Sequence, residues 1–265
     1  MKKRADIILY EKGLVESQEK AKRIIMEGIV FVGNTRIDKP GEELDEDSEI
    51  TIKQNSNIYV SRGGLKLEKA INIFDLSLND KVSMDIGSST GGFTDCMLKN
   101  GSSKVFAVDV GYGQLDWKLR NDPKVVVMER TNIRHVKKED ITFDIDFISI
   151  DVSFISLKLV LPVAKTLMSE DGEIIALIKP QFEAAKSDVG NKGIIRDKNI
   201  HFQVIKNITN YCIENGLGVC GLTYSPITGA KGNVEFLVYL KNNFISSIED
   251  ESILEIIEEA HGDLN

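Results

Sequence analysis

Residues 85–95 of the chain read DIGSSTGGFTD, and this stretch decides the fold. Its first two residues end a short apolar strand predicted over residues 82–86, and its last three residues begin a helix predicted over residues 93–100. Glycine has no side chain, so a ligand can come close to the backbone of such a turn. A glycine-rich turn from strand to helix is typical of the ligand-binding edge of a doubly wound α/β sheet.

Strands and helices alternate on both sides of this turn. Further strands are predicted at residues 104–110, 125–129, 147–150 and 173–179, and helices at 64–76, 115–120, 157–167 and 201–214. Two more strands, 217–224 and 233–240, follow each other without a helix between them. The pattern predicts an α/β fold with a mostly parallel sheet, helices on both faces and an antiparallel strand at one edge.

The segment before this sheet has a different pattern. Apolar residues at helical spacing predict two short helices, with Gly13 and Gly28 as their ends and Ser17 as the cap of the second. A strand–turn–strand pattern at residues 29–37 completes a small α+β domain. We therefore expect this small domain at residues 1–57, a linker at 58–63, the sheet domain at 64–244, and an acidic C-terminal helix or tail at 245–265.

The composition limits the class of protein. Hydrophobic residues make up 42% and charged residues 28% of the chain, as in soluble globular proteins, and no apolar run approaches the roughly 20 residues that span a bilayer. The cysteines Cys96, Cys212 and Cys220 lack metal-ligand spacing. We predict reduced thiols, a cytoplasmic protein, no metal site, no membrane contact and no obligate protein partner. The net charge is −8, but basic side chains outnumber acidic ones in residues 1–36, so a polyanion can still bind there.

Acidic residues at the strand ends indicate the kind of cofactor. Asp85 would suit the cationic sulfonium and amino groups of S-adenosylmethionine, and Asp109 could accept hydrogen bonds from a ribose diol. The turn lacks the G-x-G-x-x-G spacing of dinucleotide binders, which argues against a nicotinamide-dependent dehydrogenase. The alternatives are a tight structural turn with capping acids and, for Asn132, a simple turn cap. The candidate cofactor contacts are Asp85, Gly87, Ser88, Thr90, Gly91, Gly92, Phe93, Asp109, Asn132 and Asp151.

Two lysines and two acids stand where they could converge beside this turn. Asp151 follows an apolar strand, Lys179 ends another, Lys66 lies on the first helix of the sheet domain, and Glu235 lies within the last predicted strand. A charge within a strand requires a partner. A positioned amine can accept or orient the proton of a poor nucleophile such as a ribose 2′-hydroxyl. We predict that these four residues catalyse methyl transfer; the alternative is a set of ion pairs that fastens the sheet.

Several motifs resemble known families. Residues 1–53 resemble the S4 RNA-binding domain, for example at RADIIL (4–9) and VFVGN (30–34). Residues 59–240 resemble the Rossmann-like FtsJ-type (RrmJ-type) methyltransferases, whose Lys-Asp-Lys-Glu tetrad is similar to the four residues above. The combination, with VSRGGLKL (60–67), KPQFE (179–183) and SPITGAKGNVEF (225–236), resembles the TlyA family, often labelled hemolysin A.

This resemblance implies S-adenosylmethionine-dependent 2′-O-methylation of cytidine in the ribosomal RNA of the small subunit, the large subunit or both. The S4 domain is then expected to hold RNA, and the linker, with Tyr59 where some relatives have tryptophan, to couple RNA contact to cofactor binding. A loop at residues 186–193 is expected to close over the substrate. Alternatives from other classes are a membrane-active hemolysin and a non-catalytic RNA-binding factor for ribosome assembly. The candidate RNA contacts, each alternatively a solvated surface charge, are Arg4, Lys12, Lys20, Lys22, Arg23 and Arg62.

Overall fold

The computed structural model describes residues 2–26, 28–33, 35–52, 58–190 and 193–264. The chain forms two compact units, Met1–Arg62 and Gly63–Asn265. Part of the predicted linker region (residues 53–57), Asn34 of the predicted turn, and Asn191 and Lys192 of the predicted substrate loop lie outside the described residues.

The first unit has the predicted α+β composition. Its elements are β1 (Lys2–Arg4), α1 (Ala5–Glu11), α2 (Gln18–Met26), β2 (Val30–Val32), β3 (Thr35–Arg36), β4 (Glu43–Asp45) and β5 (Ile50–Ile52). Strand β2 is the centre of an antiparallel sheet with β3 and β5, and β1 pairs with β4. Ser17 Oγ accepts a hydrogen bond from Lys20 N at 3.1 Å, which confirms the predicted helix cap. The two helices pack through buried residues that include Leu9, Ala21 and Ile25.

The second unit contains a seven-stranded sheet. Its strands are β6 (Val82–Ile86), β7 (Lys104–Val108), β8 (Val125–Met128), β9 (Ile145–Ile150), β10 (Met168–Ile178), β11 (Leu217–Tyr224) and β12 (Phe236–Asn242). The strand order is β11-β12-β10-β9-β6-β7-β8. The five strands from β10 to β8 in this order are parallel, and β12 is antiparallel to both β10 and β11. The predicted fold class is therefore confirmed.

Helices connect the strands of this sheet. They are α3 (Gly64–Ile73), α4 (Gly92–Lys99), α5 (Trp117–Arg120), α6 (Leu161–Leu167), α7 (Pro180–Glu183), α8 (Lys198–Glu214) and α9 (Asp250–Asp263), with short 3₁₀ helices at Ile133–His135, Lys138–Asp140, Leu157–Leu159 and Ala230–Gly232. The acidic C-terminal helix begins later than predicted, at Asp250. Its residues Ile253, Ile257 and Ala260 are buried in the main hydrophobic core, so its apolar stripe docks on the unit.

One boundary differs from the prediction in a way that affects the site. Strand β12 begins at Phe236, so Glu235 lies just before the strand and not within it. Asn233 explains the late start, because its side-chain oxygen accepts from Ile195 N at 3.0 Å and its amide donates to the carbonyl of Gly193 at 2.9 Å. These bonds tie the segment before β12 to residues 193–195.

Candidate active site

Four chain segments meet at the carboxyl edge of the parallel strands. Asp151 directly follows β9, and Lys179 directly follows the adjacent strand β10. Glu235 precedes β12, which runs antiparallel to β10 and so begins at the same edge. Lys66 reaches this edge from α3. Ligands of doubly wound sheets bind at this edge, and the ends of adjacent strands bring the side chains together there.

The structure brings the four charged side chains into one chain of alternating sign. Lys179 Nζ lies 2.5 Å from Asp151 Oδ1, and Lys66 Nζ lies 3.7 Å from Asp151 Oδ2 and 2.7 Å from Glu235 Oε2. Lys66, Lys179 and Glu235 are 7%, 8% and 2% exposed. Buried ions require partners of opposite charge, and here two ammonium groups neutralise two carboxylates. We refer to these four residues as the ion chain.

The ion chain keeps Asp151 ionised. Burial raises the pKa of its carboxyl, but the nearby ammonium groups of Lys66 and Lys179 lower this pKa by more, so that it lies below its usual range. Lys179 Nζ also donates to Ser153 Oγ at 3.1 Å. The Lys179 amine is therefore held between the Asp151 carboxylate, its ion-pair partner, and the Ser153 hydroxyl, in a geometry that can hold or direct a proton.

Two glycines allow the backbone to pass close to the ion chain. Gly87 has a φ of +89°, and a Cβ atom there would lie 2.5 Å from the carbonyl oxygen of Asp151. A Cβ atom at Gly229 would collide with the carboxylate of Glu235. Both positions lie in motifs that the sequence analysis singled out. The contacts show that glycine is required there because the backbone passes close to Asp151 and Glu235 of the ion chain.

Asp109 joins the glycine-rich turn to the next loop. Its Oδ2 accepts from Ser89 N at 2.8 Å, and its Oδ1 accepts from Gly111 N at 2.7 Å. Each carboxylate oxygen can accept a further hydrogen bond, and the residue is half-buried. The carboxylate is therefore fixed where it can still accept from the hydroxyl groups of a bound ribose.

The remaining cofactor candidates divide by burial. Gly87, Thr90, Asn132 and Asp151 are half-buried like Asp109. Asn132 caps a turn, since its side-chain oxygen accepts from Arg134 N at 3.1 Å, in agreement with the alternative interpretation. The other candidates are buried at or beneath the turn. They are Asp85, Ser88, Gly91, Gly92 and Phe93.

Asp85 corrects one expectation from the sequence. Its carboxylate is fully buried and does not face an open ligand site. It accepts from Thr94 Oγ1 at 2.7 Å and from Ser149 Oγ at 3.2 Å, so it joins β6 to α4 and β9. Burial, with a smaller contribution from the charge of Asp151, raises the pKa of Asp85 to about 7.

The raised pKa of Asp85 predicts a pH-dependent stability. The folded state holds a proton that the unfolded chain, with a pKa of 3.8, releases. This contribution is complete below the unfolded pKa and is lost as the pH rises towards about 7. Asp85→Asn cannot titrate, so between about pH 5 and about pH 7.5 it should lose less unfolding free energy than the wild type. Urea unfolding at both pH values measures the unfolding free energy of each protein. An identical pH dependence in the two proteins contradicts the raised pKa of Asp85.

The candidate RNA contacts lie in the first unit. Arg4 makes a two-point contact with Asp6, at 3.0 and 2.8 Å, and this bond holds the pKa of the Asp6 carboxyl below its usual range. Lys12 donates to the carbonyl of Ser48 at 2.8 Å. Arg62 lies beside Gly28. Exposed or half-buried basic residues on α2 are Lys20, Lys22 and Arg23.

The sequence analysis did not single out the turn after Asp151. Phe154 is 90% exposed and has a φ of +64°, and its ring lies 4.9 Å from that of Phe182. A bulky residue at positive φ is an outlier that clusters at functional sites. The available signal was an aromatic residue in the short sequence VSFIS that follows Asp151 at the end of an apolar strand.

Two family models match the chain. The model described as an S4 domain matches residues 3–50, and the model described as an FtsJ-like methyltransferase matches residues 59–242. The second match contains the whole ion chain. In the described part of the protein, no helix combines the length and apolar character needed to cross a bilayer.

Relatives match over nearly the whole length. A Bacillus subtilis (strain 168) protein named "Putative rRNA methyltransferase YqxC" is 52% identical over 98% of this chain and 94% of its own length. A Mycobacterium tuberculosis (strain CDC 1551 / Oshkosh) protein named "16S/23S rRNA (cytidine-2'-O)-methyltransferase TlyA" is 38% identical over 90% of this chain and 89% of its own. A solved structure described as "Putative hemolysin from Streptococcus thermophilus" is 46% identical, with a TM-score of 0.80 over 99% of this chain and 96% of that chain.

Proposed function

The chain belongs to the TlyA family of FtsJ-like methyltransferases, and from this premise we propose that it methylates the 2′-hydroxyl of a cytidine in ribosomal RNA. The proposed methyl donor is S-adenosylmethionine. The observation that carries the proposal is the buried ion chain at the edge of the sheet where the glycine-rich turn ends. The name of the Mycobacterium tuberculosis relative supports the substrate class, and the S4 domain supports RNA as the partner.

Lys179 is the proposed acceptor of the hydroxyl proton. A ribose hydroxyl is a poor nucleophile until its proton is removed, and a positioned acid or base contributes about 10²–10⁴-fold to such a step. Lys179 first releases one proton of its ammonium group to solvent and then takes the hydroxyl proton. Asp151, 2.5 Å from Lys179 Nζ, stays ionised throughout and stabilises the ammonium group that forms again when this proton arrives. Ser153 fixes the direction of the amine through its 3.1 Å hydrogen bond.

Lys66 is the proposed second cation of the reaction. Its ammonium group shares the charge of Asp151 at 3.7 Å and is held by Glu235 at 2.7 Å. A fixed cation beside the attacking oxygen stabilises the negative charge that develops there as the proton leaves. Glu235 thus acts by holding Lys66, and Gly229 leaves room for its carboxylate.

The residues of the cofactor edge fit an adenosyl ligand. S-adenosylmethionine, when bound, supplies an electrophilic methyl group. Gly87 and Thr90 present their backbone at the half-buried turn, and Asp109 offers a carboxylate that two backbone amides already hold in place. By fixing both reactants, such a surface provides alignment worth at most about 7–11 kcal/mol in well-arranged cases.

The first unit is proposed to bind the RNA. We assign residues 1–57 to the S4 domain, 58–63 to a linker, 64–244 to the methyltransferase domain and 245–265 to the C-terminal helix. In RNA complexes basic side chains mainly contact phosphates and so position the substrate. The proposed phosphate contacts are Arg4, Lys12, Lys20, Lys22, Arg23 and Arg62.

Phe154 offers a stacking surface for a base next to the proposed reaction centre. Stacking of a base on an aromatic ring contributes about 1–3 kcal/mol, so Phe154→Ala is expected to raise the KM for RNA roughly tenfold. The ring is exposed, so folding and the affinity for S-adenosylmethionine should not change. Steady-state methylation kinetics measure the effect, and Phe154→Tyr, which keeps the ring, should retain the wild-type KM. An unchanged KM in Phe154→Ala contradicts the stacking role.

The proposed function is tested with isolated ribosomal subunits as substrates. The protein is incubated with each subunit and methyl-labelled S-adenosylmethionine, and RNA and ribosomal proteins are then separated. We expect label in the RNA of at least one subunit. Label only in ribosomal proteins, or none in either subunit, contradicts the proposal.

A further inference from the structure

A carboxylate that the proposed chemistry does not use lies four residues after Lys179. Glu183, the last residue of α7, accepts a hydrogen bond from Ser156 Oγ at 2.6 Å and another from the backbone amide of Leu157 at 2.7 Å. Its partners are 27 and 26 residues away in the chain, in the turn that follows Asp151. Burial raises the pKa of the Glu183 carboxyl, and the two hydrogen bonds oppose this shift.

These bonds join the two segments that carry the closest pair of the ion chain. One segment leads from Asp151 to Ser156, and the other leads from Lys179 to Glu183. At one end Lys179 Nζ contacts Asp151 at 2.5 Å and Ser153 Oγ at 3.1 Å. At the other end Glu183 contacts Ser156. The segments are therefore fastened at both ends.

The strained residue of the turn lies between these two fastenings. Phe154 has a φ of +64°, and such a conformation persists only when its surroundings hold it. The bonds from Ser156 and Leu157 to Glu183 begin two residues later. Without them, the turn is free to relax to a more favourable φ, which would move Ser153 away from Lys179.

We propose that Glu183 is a positioning residue for methyl transfer, which holds the turn at residues 153–157 so that Ser153 and Asp151 keep the Lys179 amine in its reactive orientation. This inference rests on the proposed function of Lys179. Glu183 acts through the turn and does not exchange a proton with the substrate. Its removal therefore lowers kcat and leaves substrate and cofactor binding nearly unchanged.

The choice of substitution separates positioning from proton transfer. In Glu183→Gln the amide oxygen still accepts from Leu157 N, and the amide nitrogen can donate to Ser156 Oγ, whose hydroxyl rotates. The turn stays fastened, so kcat should remain within about threefold of the wild type, whereas Glu183→Ala should lower kcat by about 10–100-fold because small misplacements of reacting groups have effects of this size. If Glu183 transferred protons, both variants would be equally inactive.

A matched control removes the contribution of lost stability. Glu173 is a half-buried carboxylate in the middle of β10, where the regular pairing with β9 begins, away from the carboxyl edge that carries the ion chain. It contacts Lys81 and Tyr239. Glu173→Ala removes a comparable set of bonds but should keep the wild-type kcat at a temperature where both variants are folded. Equal loss of kcat in Glu173→Ala and Glu183→Ala overturns the proposal.

Ser156→Ala provides a milder second variant if Glu183→Ala does not fold. It removes the 2.6 Å bond to Glu183 and the 3.2 Å bond that Ser156 Oγ accepts from Lys158 N, and it leaves the bond from Leu157 N to Glu183 in place. We expect a loss of kcat of about threefold to tenfold that does not add to the loss in Glu183→Ala, because the residues share one contact. Wild-type activity in Ser156→Ala and Glu183→Ala beside an inactive Lys179→Ala overturns only the role of Glu183. Activity in Lys179→Ala itself refutes the function of the site.

Discussion

Lys179→Ala is expected to abolish methyl transfer and to leave the binding of S-adenosylmethionine intact. The substitution removes the amine that is proposed to take the proton of the ribose hydroxyl, so we expect kcat to fall by about 10³-fold or more, within the range of acid–base catalysis and lost alignment. Asp109, a proposed cofactor contact, is held in place by the backbone amides of Ser89 and Gly111, so we expect the affinity for S-adenosylmethionine to remain. Single-turnover methylation of ribosomal subunits and isothermal titration of the cofactor measure the two quantities separately.

Folding must be controlled in this experiment, because Lys179 is one partner of a buried ion pair. Removal of one partner from such a pair destabilises a protein by about 3–5 kcal/mol, so the thermal unfolding of each variant is recorded. Lys158→Ala is the control for the loss of a lysine near the site. Lys158 is exposed, directly follows the turn at residues 153–157 and lies outside the ion chain. Full activity of Lys179→Ala, or equal inactivity of Lys158→Ala, contradicts the catalytic assignment.

Gly87→Ala is expected to lower methyl transfer by about 10²-fold, because it displaces Asp151. The new Cβ would lie 2.5 Å from the carbonyl oxygen of Asp151. This neighbour is backbone, which cannot rotate away as a side chain does, so the ends of β6 and β9 must separate. The same movement distorts the glycine-rich turn, and the affinity for S-adenosylmethionine should fall as well.

The strain of the substitution itself is measured at another glycine. Gly13 also has a positive φ, +67°, but no atom lies within 4 Å of its ideal Cβ position. Gly13→Ala therefore carries only the left-handed strain of about 1–2 kcal/mol and should keep the wild-type affinity for S-adenosylmethionine. If Gly87→Ala keeps full activity, or if Gly13→Ala loses cofactor binding to the same extent, close approach to Asp151 is not the reason for the glycine.

The sheet could be predicted because its signal is local. Apolar runs of strand length alternate with helical periodicity, and parallel strands covered on both faces are apolar throughout. The same logic predicted that Asp151 and Lys179 would meet, since both directly follow apolar strands. Lys66 and Glu235 are 169 residues apart, and only the strand order, which brings the start of β12 next to the end of β10, places them together.

Asp85 shows that a charged residue near the end of an apolar run does not by itself indicate a functional site. Asp85 and Asp151 both stand near the end of an apolar strand in the sequence. Asp85 is still part of β6, so its side chain points into the layer between sheet and helix, where Thr94 and Ser149 donate to it. Asp151 lies one residue beyond β9 and reaches the edge. Asp85 pairs with Ser149, so a difference of two residues at the end of a strand separates a buried structural carboxylate from one at the edge of the sheet.

The fastening of the turn by Glu183 could not be predicted either. Its partners, Ser156 and the amide of Leu157, lie where the predicted helix at residues 157–167 begins, and the helical pattern does not indicate which distant side chain contacts this end. Every residue except proline has a backbone amide, so the residue type of Leu157 does not indicate that its amide binds a carboxylate. The same holds for the positive φ of Phe154, which no feature of its residue type predicts.

Mapping of the methylated ribose tests the central claim most directly. Ribosomal RNA treated with the wild-type protein and S-adenosylmethionine is digested and analysed by mass spectrometry, beside RNA treated with Lys179→Ala. The account predicts a 2′-O-methylcytidine that is present with the wild type and absent with the variant. A methyl group on a base, or the same 2′-O-methylcytidine formed by Lys179→Ala, would contradict it.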